Sequence, residues 1–219
     1  MKKWIWILLS AMLLPALSCT TSDKKQDNQE ESEHMLFKGV PIDGTLQEFV
    51  QEMESIGFSL EEEEQGAALL KGDFAGSKGV MVTVWALQPR DLVNTIIVGF
   101  PPSERNSWEA FFRDYATLKA ELVKKYGKPT FCKEEERAKE LGIENIDSLY
   151  YPNPHDFMQS GLSTKDFVTQ FETDKGVVRL FFHNASSNGM VFASDTYVAL
   201  QYWDKINTEL VKQDAINDL

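Results

Sequence analysis

The chain has 219 residues and a formal net charge of −12, from 34 acidic and 22 basic side chains. That balance excludes a nucleic-acid surface, which needs clustered Lys and Arg, and a face that lies flat on anionic lipid. Two cysteines, Cys19 and Cys132, are too few for a disulfide framework, so a hydrophobic core must hold the fold.

Lys2 and Lys3 precede an apolar run, Trp4 to Leu14, broken only by Ser10, and then Pro15-Ala16-Leu17-Ser18. This order reads as an export signal over residues 1–18, too short for the roughly 20 residues of a membrane span. Ser18 followed by Cys19 resembles the lipobox of bacterial lipoproteins, with Ala16 where that family usually has Leu. The resemblance implies that Cys19 becomes an acylated N-terminus. Each buried methylene contributes about 0.8 kcal/mol, and two or more chains make the anchorage stable. The alternative is an ordinary cleaved signal that leaves Cys19 a thiol, for which a bridge to Cys132 is conceivable. Thr20 to Glu33 contains no apolar residue, so residues 19–35, His34 among them, read as a disordered tether. One domain is then expected over 36–219.

Thr45 and Glu48 form a capping box ahead of Leu46, Phe49, Val50 and Met53 on one helical face, and Gly57 ends the helix. Glu61 to Glu64 lacks the spacing of a calcium loop and is expected to be a solvated turn. Strands are expected over Ala68 to Phe74, Val80 to Leu87 and Leu92 to Phe100. Turn clusters at Gly76 to Gly79 and Gln88 to Asp91 are too short for crossovers, which predicts an antiparallel meander. A long helix follows from Ser107 to Tyr126, with Asn106 and Glu109 as its capping pair. Its core stripe is Trp108, Phe111, Phe112, Tyr115, Leu118, Leu122 and Tyr126, and Gly127 and Pro129 end it. Glu134 to Leu141 reads as a short charged helix and Cys132 as a small buried hydrophobe. Tyr150, Tyr151, His155 and Asp156 sit in a proline-rich loop of the kind that carries binding residues.

Asp166 to Thr173 and Val177 to His183 flank Asp174-Lys175-Gly176 as a hairpin. With Thr173 opposite Val177, one face carries Phe167, Thr169, Phe171, Arg179, Phe181 and His183. That face reads as a partner-binding surface, or as a covered face with Arg179 stacked on Phe171. Met190 to Trp203 reads as a last long strand, and Asp204 to Ile216 as a closing helix.

The expected architecture is α+β, an antiparallel sheet of roughly seven strands with helices mainly on one face. The element order hints at duplication, in an outline shared with beta-lactamase-inhibitor-like and other two-layer folds. The stretch Phe37-Lys38-Gly39-Val40-Pro41-Ile42-Asp43-Gly44-Thr45, then Gly57-Phe58 and Leu70 to Gly76, resembles a group of small exported proteins of gut Bacteroidota. Those proteins open with F-x-G-[IV]-P-[IL]-D-G-T. The resemblance covers about 40 residues and implies an outer-membrane lipoprotein, periplasmic or surface-exposed, without implying a mechanism.

His34, His155 and His183 lack metal-ligand spacing, and the chain has neither a G-x-S-x-G elbow nor a phosphate-cradling glycine loop. The expected function is therefore non-catalytic binding of a protein, a glycan or another envelope component, with no cofactor or metal and with membrane contact through Cys19. The candidate binding residues are Tyr150, Tyr151, His155, Phe167, Phe171, Arg179 and His183. The alternatives are an inhibitor or accessory subunit of a secreted enzyme, or a hydrolase with paired carboxylates.

Overall fold

A computed structural model describes residues 32–101, 103, 107–144, 161–184 and 196–217. The expected export signal, Cys19, Asn106, and the segment with Tyr150, Tyr151, His155 and Asp156 lie outside the described residues, as does the start of the expected last strand at Met190.

Strands β1 (Leu36–Phe37) and β2 (Val40–Pro41) form a small hairpin. Helix α1 (Leu46–Ser55) carries the expected capping box, with Thr45 N donating to Glu48 Oε2 at 2.9 Å, and it buries Leu46, Phe49, Val50 and Met53. The main sheet contains β3 (Ser59–Glu64), β4 (Ala67–Phe74), β5 (Ser77–Leu87) and β6 (Leu92–Phe100). After α2 (Trp108–Tyr126) it continues with β7 (Phe131–Cys132), and after α3 (Lys133–Glu140) with β8 (Val168–Glu172), β9 (Gly176–Asn184) and β10 (Thr196–Asp204). Helix α4 (Lys205–Asn217) closes the described chain.

The eight strands are ordered β3-β4-β5-β6-β10-β9-β8-β7, with every pairing antiparallel. Each half therefore runs from an outer edge inward, a helix precedes each half, and the halves meet at β6 and β10. The α+β architecture is as the patterning predicts. Alternation buries Leu70, Val80, Val82, Val84, Ile96, Val98, Val178, Leu180 and Leu200 on one face. Phe49 and Met53 of α1 and Phe111, Phe112 and Tyr115 of α2 complete that core. In it Phe112 lies 4.9 Å from Phe167 and Tyr115 stacks on Phe182 at 5.1 Å.

Three expectations need correction. Glu61 to Glu64 is an exposed edge strand, not a turn, because its backbone pairs with β4 while every side chain stays in water. Carboxylates there also discourage pairing with another edge. The cap of α2 is Ser107, whose Oγ accepts from Ala110 N at 3.2 Å. His34 and Met35 belong to the folded body. Met35 is 5% exposed and its N–H donates to Asp204 Oδ2, while His34 lies 3.2 Å from Asp204 Oδ1 and 3.4 Å from Asp43 Oδ2.

The fourth correction bears on function. Phe171 pairs with Val178 and Gln170 with Arg179, so the β8–β9 register is one residue away from that expected. The hairpin turns through Thr173 to Gly176, with Thr173 N donating to Gly176 O and Gly176 N to Thr173 Oγ1. Only glycine fits the end of this turn, since a Cβ at Gly176 would lie 2.0 Å from Trp203 O. A one-residue slip transfers every β9 side chain to the opposite face.

Candidate functional site

That slip divides the sequence-derived candidates. Phe167 and Phe171 are 0% and 1% exposed and belong to the core. Arg179 and His183 stand on the opposite face, half-buried, so the structure does not unite these four residues. Arg179 stacks on Trp203, 4.3 Å from the ring centroid, rather than on Phe171, and its guanidinium donates to Gln170 Oε1 at 3.0 Å. Burial holds His183 below its ordinary pKa, and its ring lies 4.7 Å from that of Tyr197.

Helices α1 to α3 cover the core face. The other face leaves Trp85 48% exposed, and Met81, Thr83, Ile97, Phe181, Gln201 and Trp203 are half-buried on the same face. The alternation that buries Val82 and Val84 brings Trp85 to this face, a signal present in the sequence. Tyr197 lies so close over Gly99 that a Cβ there would come within 2.8 Å of the ring.

Three polar constellations are candidates for chemistry. The first joins α2, α3 and β8. Glu134, fully buried, accepts from Tyr115 Oη at 3.0 Å, Lys119 Nζ at 3.0 Å and Thr169 Oγ1 at 2.7 Å through Oε1, and from Val168 N through Oε2. Lys119 Nζ also lies 3.0 Å from both Cys132 Sγ and Glu135 Oε1. A thiol, an amine and carboxylates together invite a nucleophilic reading. Burial, reinforced by the Glu134 charge, instead pushes the Cys132 thiol up to about 12, despite the opposing Lys119. A thiol so shifted is protonated at neutral pH and inert. This cluster pins two helices to the sheet.

The second constellation is His34 between Asp43 and Asp204. Burial alone would raise Asp43. The Asn207 amide, the Gly44 N–H and His34 outweigh it and hold the carboxyl below its ordinary range. Asp204 is fully buried and caps α4 by accepting from Asn207 N at 2.9 Å. Asn207 Nδ2 in turn donates to Val93 O at 2.8 Å and Asp43 Oδ1 at 3.0 Å. This pairing ties the start of the folded body to α4.

The third is a groove of about 440 Å³ between α4 and the β8–β9 turn. Trp203, Val177 and Gly176 form its apolar side, Lys205, Thr208, Glu209 and Lys212 the helical side, and Glu172 and Thr173 the hairpin rim. Arg90 in the β5–β6 turn pairs with Asp214 and holds α4 in place. Asn94 also lines the groove. It is the extra residue of a β-bulge, since Thr95 pairs with Trp85 but Val93 with Ala86. Sequence reasoning missed Asn94 and Trp203. The one signal was an Asn inside the otherwise strand-forming run Leu92-Val93-Asn94-Thr95-Ile96-Ile97.

Among the described residues no group of three or more His, Cys, Asp or Glu is placed to hold a metal ion, and no helix is long and apolar enough to cross a membrane. No family model, curated protein or solved structure matches this chain.

Proposed function

We propose that the chain is a non-catalytic binding protein of the bacterial envelope, tethered to the outer membrane by lipid on Cys19. It meets a protein, glycan or other envelope component with the sheet face opposite α1 to α3. The observation that carries this reading is that face itself. Trp85 stands half exposed on β5, with Ile97 diagonally across on β6 and Met81, Tyr197 and Phe181 further along the same face. Apolar surface grouped in this way marks an interaction site more often than a bare exterior. The export leader and its cysteine supply the proposed address.

The test is crosslinking in intact Bacteroidota cells that express the wild type, Cys19→Ala or Trp85→Glu. One specific neighbour recovered with the wild type and lost in both variants is the expected result. Recovery undiminished by Trp85→Glu removes the sheet face from the reading. Cys19→Ala protein that stays in the membrane fraction removes the lipid tether.

A further inference from the structure

The sheet face opposite α1 to α3 differs in charge from the rest of the chain. Between Gly79 and Trp85 on β5, Thr95 and Gly99 on β6, Tyr197 and Trp203 on β10, and Val177 and His183 on β9, every second residue stands on this face. None of these is Asp or Glu, although the chain carries 34 acidic residues. Their one arginine, Arg179, lies over Trp203 and donates to Gln170. Two copies of so acidic a chain repel each other wherever carboxylates meet, and contact through this face avoids that cost.

The face is also shaped to meet itself. Trp85 projects at one end, 48% exposed. At the other end Gly79, Met81, Gly99, Pro101 and Tyr197 border a mostly apolar pocket of about 250 Å³. Gly79 lies six residues from Trp85 along β5, about 20 Å, and Thr83 pairs with Ile97 halfway between. A two-fold axis through that pair, normal to the sheet, lays Trp85 of each copy over the pocket of the other, so one contact is made twice. Sheet spacings give the four strands about 500 Å² of face per copy, and β4 and β8 extend it to about 700 Å². Twice that area falls within the roughly 1,200–2,000 Å² of a specific protein interface. We infer that this face pairs two copies of the chain sheet to sheet, with Trp85 of each seated in the other's pocket beside Gly99 and Tyr197. The inference rests on the sheet-face reading above and names its partner.

The test uses full-length protein in a density-matched neutral detergent, with mass read by sedimentation equilibrium. The wild type is expected to be a dimer. Trp85→Ala raises the dimer Kd about tenfold or more, and Trp85→Phe retains most of the affinity. An unchanged circular-dichroism spectrum in both variants separates a lost contact from a lost fold. In intact cells Ile97→Cys, beside the axis, is expected to crosslink to its own copy through a short bismaleimide. Glu62→Cys on the exposed β3 edge, and the wild type with its own cysteines, are expected to give no such product. A wild-type monomer at micromolar concentration, a dimer indifferent to Trp85→Ala, or equal crosslinking through Glu62→Cys overturns the inference. A monomer that recovers a different protein or a glycan through Trp85 overturns the second copy and keeps the sheet-face reading. A cellular neighbour undiminished by Trp85→Glu, with the wild type monomeric, overturns both.

Discussion

The Glu134 cluster and the Asn94 groove are both polar sites within an otherwise apolar fold, and they are finished differently. Glu134 is fully buried, and its two oxygens accept from Tyr115, Lys119, Thr169 and Val168, so the site is closed and its charge is matched. Asn94 is nearly as buried, yet one of its two polar atoms is unmatched and it borders open volume. A satisfied network rigidifies the fold, whereas a buried acceptor left unsatisfied carries a desolvation cost. The cluster with the richer chemistry is therefore structural.

Breaking the closed cluster gives the largest expected effect. Glu134→Leu removes the fully buried carboxylate paired with Lys119, whose side chain is 11% exposed, and lowers stability by about 3–5 kcal/mol in urea denaturation. A loss under about 1 kcal/mol would show that Glu135 alone compensates the charge. Tyr115→Phe deletes the hydroxyl that donates to Glu134 and is expected to cost about 1–2 kcal/mol by the same measurement.

In the groove the contrast reverses. Asn94→Leu removes one hydrogen bond and one unsatisfied carbonyl together, so its stability stays within about 1 kcal/mol of the wild type. A loss as large as that of Glu134→Leu would make the two sites equivalent and end the comparison.

The smallest effect concerns acid. Burial raises Asp166, but the Ser163 N–H and hydroxyl, with Lys133, outweigh it and hold its carboxyl below the ordinary range. A depressed carboxyl adds stability that is present above the unfolded pKa of about 4 and disappears as pH falls through the folded value. Asp166→Asn should therefore lower Tm at pH 7 and converge with the wild type under acid. Parallel Tm curves across that range would remove Asp166 from the pH dependence.

Wherever local pattern decides the structure, the sequence was readable. The capping box of α1, the meander from β4 to β6, the stripe of α2 and the α+β class all follow from short-range periodicity and turn chemistry. The sites were far less legible. Phe167 and Phe171 alternate with polar neighbours in a way that fits either face, and only the four-residue turn with its Thr173 hydrogen bonds settled the register. Arg179 and His183 moved to the opposite face with it.

Composition and periodicity by themselves determined an acidic chain and a two-layer body, because charge and hydrophobic repeat are local properties of the chain. The tertiary structure alone decided that Asn94 would be buried beside Thr208, 114 positions away, and that Arg179 would steady Trp203. It also decided that Cys132 would be silenced by burial and Glu134. Each of these depends on which surfaces meet, and strand order and register set that only when the whole sheet assembles.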